Sequence, residues 1–84
     1  PDNNSYLDTY AWVLFSRAKY KEAKKIMEKV IQSDPTNSTF FEHYGDILFK
    51  LGNIDDAVKQ WEKAKSLDAT NELIDKKIAN RRLY

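Results

Sequence analysis

The only histidine of the sequence, His43, stands next to Glu42 and three residues before Asp46. A histidine beside carboxylates is the combination used in acid–base catalysis and in metal sites. The chain has no cysteine and no second histidine, adjacent residues on a helix point in different directions, and no nucleophile is aligned with the imidazole. We therefore expect no catalytic residue, no metal site and no cofactor, and hence no enzyme.

The composition of the chain restricts its partners. Its 84 residues suffice for one small domain, in which a large enclosed active-site cavity is not expected. With 14 Lys and Arg against 13 Asp and Glu, the net charge of +1 provides no general attraction to nucleic acid or to anionic lipid. No apolar run approaches the roughly 18 residues of a membrane span. We expect neither nucleic-acid binding nor membrane insertion, and the absence of cysteine leaves the compartment open.

The strongest pattern in the sequence is an internal repeat with a period of 34 residues, the separation of Tyr10 from Tyr44. The same offset places Ala23 on Ala57 and continues without a gap. A period of this length is typical of solenoid proteins, whose units bury their apolar faces by stacking on one another. Because solenoids mostly present binding surfaces, the period favours binding over catalysis.

Each period contains two amphipathic helices, because its apolar residues recur at intervals of three and four. Leu7, Tyr10, Ala11 and Leu14 form such a series in the first period. The predicted helices cover residues 4–17, 20–33, 38–51 and 54–67. A fifth helix is predicted after Asn71. The sequence therefore predicts an all-α fold of five helices.

The segments between the helices contain turn and capping signals. Gly52 suits the left-handed backbone position after a helix, and Asn53 is able to cap the helix that follows. In the first period Ala18 stands at the place of Gly52. If Ala18 is held at a positive φ, which is unfavourable for a residue with a side chain, we expect Ala18→Gly to stabilise the domain by roughly 1 kcal/mol.

Both ends of the sequence carry information about the repeat array. Arg81 and Arg82 stand where the preceding period has apolar residues, and guanidinium groups there keep the outer face of a helix in water. We therefore expect residues 72–84 to form a C-terminal capping helix. Pro1 lies one period before Pro35, so we also expect the chain to be the C-terminal part of a longer array.

The pattern of small and large residues resembles the tetratricopeptide repeat, a 34-residue helix–turn–helix unit. The family's small residue in the first helix is matched by Ala11 and Gly45, and the alanine of its second helix by Ala23 and Ala57. The large apolar positions of the family are filled by Leu7, Tyr10, Leu14, Tyr20, Met27, Phe41, Tyr44, Leu48, Ile54 and Trp61. The second unit departs from the family at Ala69, which stands in place of a proline.

The resemblance implies a right-handed superhelical stack of antiparallel helix pairs in a single domain, residues 1–84. Repeat 1 comprises residues 4–37, repeat 2 residues 38–71 and the capping helix residues 72–84. The resemblance also implies a concave groove that holds an extended peptide or a helix of another protein. The residues expected to line this groove are Asp8, Trp12, Phe15, Glu42, His43, Asp46, Phe49, Lys50 and Lys76.

The aromatic residues of the predicted groove have two explanations. Trp12 is of the type that anchors a partner segment, with Phe49 beside it, or else it packs between the repeats. Phe15 and Phe49 recur one period apart, which favours a place in the core. Trp61 stands at a packing position and is expected to be buried.

The charged residues also admit alternatives. Asp8, Glu42 and Asp46 form either an acidic strip suited to a Lys- or Arg-bearing partner or an ordinary solvated face. Family members that hold the C-terminal carboxylate of a chaperone have Lys and Asn where this sequence has Asp8, Trp12 and His43. An acid at Asp8 repels a carboxylate, so we do not expect that use. His43 is expected on the groove wall or half-buried.

These observations favour a non-catalytic protein–protein interaction module that binds a protein or peptide partner in its groove. The alternative is an assembly segment, with self-association through the exposed face of the first helix around Tyr6 and Tyr10. A helical-repeat RNA binder is a third interpretation, which the acidic groove opposes.

Overall fold

The computed structural model describes residues 3–82 of the chain. These residues form five α-helices, numbered in chain order α1 (Asn3–Ser16), α2 (Tyr20–Ser33), α3 (Ser38–Lys50), α4 (Ile54–Leu67) and α5 (Glu72–Asn80). No strand occurs within the described range. The predictions of an all-α fold and of five helices are confirmed. The first four helices begin and end within one residue of their predicted bounds.

The helices stack in the order of the chain. α1 packs against α2, α3 packs against α4, and the two pairs meet where α2 contacts α3. α5 then packs against α4. The buried apolar residues form one cluster: Ala11, Leu14, Ala23, Met27, Val30, Phe40, Phe41, Tyr44, Ile47, Leu48, Ala57, Trp61, Ala64 and Ile74. Since all five helices contribute to this cluster, each repeat depends on its neighbour to bury its apolar face.

The C-terminal end differs in detail from the predicted capping helix. α5 ends at Asn80, and Arg81 adopts the left-handed conformation with a φ of 52°. Arg82 then donates its backbone N–H to the carbonyl of Lys77 at 3.3 Å. Both arginines are exposed, but they lie in the turn after α5 and not on its outer face. The predictions that concern Pro1 and residues 83–84 fall outside the described residues.

The distance between α3 and α4 depends on one large and one small residue. Trp61 of α4 is fully buried, as predicted, and its indole lies over Gly45 of α3. A Cβ atom on Gly45 would lie 2.5 Å from Cδ1 and Nε1 of Trp61, which is closer than real Cβ contacts. The equivalent buried pair in repeat 1 is Ala11 and Met27. Each repeat therefore adjusts the small position to the size of the residue that faces it.

The turns within the two repeats have the same geometry. Ala18 has a φ of 62° and Gly52 a φ of 89°, so Ala18 meets the condition under which Ala18→Gly is expected to stabilise the domain. The backbone N–H of Ala18 donates to Phe15 O and that of Gly52 to Phe49 O, both at 3.0 Å. The predicted side-chain cap at Asn53 is wrong. Asn53 has φ −89° and ψ 67°, not the extended backbone from which a capping side chain usually reaches the helix.

The linker that follows each repeat contains an aspartate turn. Asp34 Oδ1 accepts hydrogen bonds from the backbone N–H and the hydroxyl of Thr36, at 3.1 and 2.7 Å. Asp68 and Thr70 form the same two bonds, at 3.0 and 2.6 Å. The hydroxyl bond and then the N–H bond stabilise the ionised carboxylate, so the pKa values of Asp34 and Asp68 are lowered.

An asparagine cap then begins the next helix in each case. Asn37 Oδ1 accepts from the N–H of Thr39 at 3.0 Å, at the start of α3. Asn71 Oδ1 accepts from the N–H of Leu73 at 3.0 Å, at the start of α5. Because the aspartate turn and the cap are the same after both repeats, α3 and α5 enter the stack with equivalent orientations.

Replacing Gly45 by alanine tests the match between Gly45 and Trp61. Alanine has the higher intrinsic helix propensity by about 1 kcal/mol. Its methyl group would nevertheless clash with the buried indole, so we expect the free energy of unfolding to fall by about 1–3 kcal/mol, as in other overpacked cores. Urea unfolding measures the change.

The variant Trp61→Met supplies the control, because it gives repeat 2 the residue that faces Ala11 in repeat 1. In that background Gly45→Ala should no longer destabilise the domain. A Gly45→Ala protein as stable as the unmodified chain would contradict the proposed packing constraint.

Candidate functional site

A cleft of about 280 Å³ opens where α1, α3 and α5 lie side by side. Its volume is close to the lower end of small-ligand sites, about 300–1,000 Å³, so it accommodates one or two side chains. All three helices contribute lining residues, and we call this site the groove cleft. The lining residues are Trp12, Phe15, Glu42, His43, Asp46, Leu73 and Lys77.

Trp12 is the centre of an aromatic stack in the groove cleft. Its ring lies nearly parallel to that of Phe15, with centroids 4.7 Å apart and an interplanar angle of 5°. His43 of α3 stacks on the same indole at 4.3 Å and 26°. Trp12 still keeps 38% of its surface exposed. The indole therefore packs between the repeats and also contributes accessible aromatic surface.

Two polar side-chain contacts connect the three helices at equivalent points. Asp8 Oδ1 of α1 lies 2.7 Å from His43 Nδ1 of α3. Glu42 Oε2 of α3 lies 2.9 Å from Lys77 Nζ of α5. Each pair joins residues 35 apart, so a carboxylate of one unit meets a base of the next unit at the same place.

Asp46 and Lys77 form a buried link between α3 and α5, with exposed fractions of 5% and 4%. Lys77 Nζ donates to both Asp46 oxygens, at 3.0 and 3.1 Å. Trp61 Nε1 of α4 donates to Asp46 Oδ1 at 3.0 Å. Burial raises the pKa of Asp46, although the charge and the hydrogen bonds of Lys77 and Trp61 act in the opposite direction.

These pairings correct the expectation of a free acidic strip. Each of its three carboxylates, on Asp8, Glu42 and Asp46, is paired with a basic side chain of the same chain. Glu42 also accepts a hydrogen bond from the side-chain amide of Asn71 at 3.2 Å, through its second oxygen. Sequence register placed these acids on one face, but it did not show that the bases of the next helix reach them.

The structure separates the predicted groove residues into two groups. Those that line the groove cleft are Trp12, Phe15, Glu42, His43 and Asp46. Asp8 does not line it but holds His43 in place. Lys50 and Lys76 are exposed at other points of α3 and α5.

Phe49 requires a correction. It was expected beside Trp12, but it packs on Trp61, with ring centroids 6.1 Å apart. Phe15 is the phenylalanine that stacks on Trp12. The difference arises because Phe49 is near the end of α3 and turns towards α4, where it joins the edge of the core.

Leu73 and Lys77 were missing from the predicted set. Leu73 lies in the first turn of α5 and is 40% exposed. At the equivalent position the two repeats have the polar residues Ser5 and Thr39. The change to the apolar Leu73 was the feature of the sequence that indicated a role in the cleft. The pairing of Lys77 with Glu42 was indicated by their separation of 35 residues. Asp8 and His43 are separated by the same number of residues.

The chemistry of the groove cleft is that of contact surfaces. No serine, threonine or cysteine lines it. Among residues 3–82, no three His, Asp or Glu side chains are grouped as a metal site requires. That part of the chain also contains no helix with the length and apolar character needed to cross a bilayer.

The fold and the groove cleft define a helical-repeat protein of the tetratricopeptide type, a fold of protein-interaction scaffolds. A family model described as anaphase-promoting complex, cyclosome, subunit 3 matches residues 1–64. The chain belongs to this family, whose repeats are of the tetratricopeptide type, as its sequence pattern predicted.

Two solved structures resemble the chain over almost its whole length. The type III secretion chaperone SycD of Yersinia enterocolitica, solved with a peptide of the translocator YopD, has a TM-score of 0.91 and 21% identity. A point mutant of MamA has a TM-score of 0.84 and 25% identity. Each comparison covers 96% of this chain, but 62% of SycD and 59% of MamA. The chain thus spans about three fifths of either protein. No curated protein matches the sequence.

Replacing Asp46 by alanine tests the buried link. The variant leaves the Lys77 ammonium with Glu42 as its remaining carboxylate and removes the acceptor of the Trp61 indole N–H. Since breaking a buried ion pair costs about 3–5 kcal/mol, we expect the free energy of unfolding to fall by that amount. Urea denaturation followed by circular dichroism provides the measurement.

Asp55→Ala is the matched control, because Asp55 forms an exposed ion pair with Arg81. Surface pairs contribute about 1 kcal/mol or less. A loss for Asp46→Ala that is no larger than the loss for Asp55→Ala would show that the buried link does not hold α5.

Proposed function

We propose that this chain is a non-catalytic protein-interaction module that holds a peptide or helix of a partner protein in the groove cleft. The observation that carries the proposal is the joint exposure of Trp12 and Leu73 in the lining of one cleft. Two accessible apolar side chains on different helices form a site for an apolar side chain of a partner. Aromatic anchors of this kind dominate the energy of many interfaces.

The groove cleft is ordered before a partner arrives. Stacking on Phe15 and His43 holds the Trp12 indole in one orientation. Asp8 fixes the His43 ring from the other side. Because these side chains lose little rotational freedom on binding, the entropic cost of association is reduced.

The charge pattern of the groove cleft favours a partner that inserts an apolar side chain over a partner that inserts a basic one. Glu42 and Asp46 share the ammonium group of Lys77, so their charges are already compensated. A partner lysine would have to displace Lys77 from a buried position to reach them. The partner residue that enters the cleft is therefore aliphatic or aromatic, while the backbone of its segment meets the polar rim.

The resemblance to SycD is consistent with this use. That chaperone was solved in complex with a peptide of YopD, and its fold is shared over 96% of the present chain. At 21% identity the likeness concerns the fold, so the identity of the partner segment is set by the residues of this cleft.

A second candidate function is assembly between copies of the chain through the outer face of α1. Tyr6, Tyr10 and Val13 are exposed on this face. One period later the equivalent residues are Phe40, Tyr44 and Ile47, all of which are buried by packing. An apolar face that is covered in repeat 2 and exposed in repeat 1 favours association. Sedimentation over a range of concentrations tests this, and a monomer throughout would exclude it.

The variant Trp12→Ala tests the binding proposal. Peptides are first selected from a displayed library of random dodecapeptides against the unmodified chain. We expect Trp12→Ala to weaken the selected peptides about 30-fold or more, since an aromatic hot spot contributes about 2 kcal/mol or more. Leu73→Thr, which installs the residue of repeat 2, should weaken them as well. Fluorescence polarisation measures the affinities.

Tyr6→Ala is the matched control, because it removes an aromatic residue that is 73% exposed outside the groove cleft. It should change the affinities less than twofold, roughly the effect of a peripheral contact. Peptides that bind Trp12→Ala and the unmodified chain equally well, while circular dichroism shows both folded, would refute the proposal.

A further inference from the structure

A second recess lies along α2 and shares no lining residue with the groove cleft. It is lined by Lys21, Lys24, Lys25, Glu28, Leu51 and Asn53, and has a volume of about 380 Å³. A neighbouring recess of about 300 Å³ shares Lys21 and Leu51 with it and extends to Ala18. We call the two together the α2 cleft. α2 rises about 12 Å from Tyr20 to Glu28 and the recess continues to Ala18 in the turn before the helix, so its length matches about four or five residues of extended peptide.

The α2 cleft is the basic part of the molecule. Residues 17–29 contain six Lys and Arg and two Glu, a net charge of +4, although the whole chain carries +1. None of the three cleft lysines, Lys21, Lys24 and Lys25, forms an ion pair with another residue in the range 3–82. Their ammonium groups are therefore available to an external anion.

Repeat 2 shows that stacking does not require two of these lysines. One period after Lys21 and Lys24 the sequence has Asp55 and Val58, whereas Lys25 recurs as Lys59. α2 and α4 nevertheless have the same bounds one period apart, and the turns before them have the same geometry. Lys21 and Lys24 therefore have no evident role in the fold.

Local physics also disfavours Lys21, whereas Glu28, four residues after Lys24 and three after Lys25, provides a favourable charge for both. Lys21 lies in the first turn of α2, where the helix dipole favours acids, and α4 has Asp55 and Asp56 in its first turn. Lys21 and Lys25 are four residues apart on the helix, so their like charges repel. Residues that oppose local stability without a packing role indicate a functional site.

We propose that the α2 cleft binds an acidic segment of a partner protein, four or five residues long, with Asp or Glu side chains at the lysines and an apolar side chain on Leu51. The charge of the recess selects the acids, and half-buried Leu51 provides an apolar floor between the lysines. Electrostatic complementarity of this kind gives specificity and fast association. The site is independent of the groove cleft, so one chain is able to hold two partner segments.

The arrangement favours a protein segment over a nucleic acid. A nucleic-acid surface requires a basic stripe that follows the phosphate backbone. Here the basic region stops at the end of repeat 1, because Asp55 and Asp56 occupy the equivalent surface of α4.

The test uses a fluorescein-labelled octapeptide of alternating Asp and Glu with one central Leu, measured by fluorescence anisotropy. We expect the triple variant Lys21→Gln, Lys24→Gln, Lys25→Gln to lose about tenfold in affinity, because three surface charges each contribute a modest amount. The affinity of the unmodified chain should fall as salt is added. The single charge reversal Lys21→Glu should also weaken binding, and circular dichroism reports whether each variant is folded.

The matched control is the triple variant Lys59→Gln, Lys63→Gln, Lys65→Gln, which removes the same charge from α4. It should keep the affinity within about twofold, since screening limits the effect of distant charges. Equal losses in the two triple variants, or no binding by the unmodified chain, would overturn the proposal. Stronger competition by single-stranded RNA or by phosphatidylserine vesicles than by unlabelled peptide would overturn it too. Trp12→Ala should leave this affinity unchanged, so the result is separate from that for the groove cleft.

Discussion

The buried contact between Asp46 and Lys77 is the interaction on which the rest of the structure depends. Removing two charges from water is costly, and the cost is offset here by three short contacts to Lys77 and by the indole N–H of Trp61. The contact joins α3, α4 and α5 at one point. An ammonium group has few ways to satisfy its donors in an apolar interior. The link therefore keeps α5 packed on repeat 2 and also fixes the register of α5 along it.

The same contact determines what the groove cleft offers to a partner. The ammonium group of Lys77 compensates the negative charges of Glu42 and Asp46, so this side of the groove cleft is not a free acidic site. The link also holds α5, whose Leu73 lines the cleft together with Trp12 of α1. The charged side chains of the groove are therefore structural, and its exposed apolar side chains are those that remain available for binding. At the α2 cleft the situation is reversed, since its three lysines form no ion pair within residues 3–82 and two of them, Lys21 and Lys24, have no evident role in the fold.

The sequence was sufficient to predict most of the fold. The period of 34 residues located the helices, and residue size within the period assigned Gly45 to a small position and Trp61 to a buried one. The alignment of Ala18 with Gly52 marked Ala18 as a candidate for the left-handed conformation, which it adopts. These predictions succeed because helix periodicity and the volume of buried side chains are local properties that repeat with the sequence.

The candidate site was harder to predict because it depends on where the ends of long side chains meet. Register places Glu42 and Asp46 on one face of α3, but the position of the Lys77 ammonium follows from the angle at which α5 packs. The expectation that Phe49 lies beside Trp12 failed for a related reason, although its predicted place at the core was correct. Its position in the repeat is compatible with either side of α3, and the neighbouring Trp61 ring determines which side it takes.

Hydrogen exchange of the native protein tests most directly whether the buried link secures α5 to the stack. The account predicts that the amides of Lys77 and Ile78 and the indole N–H of Trp61 exchange only through global unfolding, with the same opening free energy as core amides of α3 and α4. Exchange of the α5 amides through a much smaller opening free energy, with α3 and α4 still protected, would contradict it. In that case α5 would open independently, and the Asp46–Lys77 contact would not hold the wall of the groove cleft.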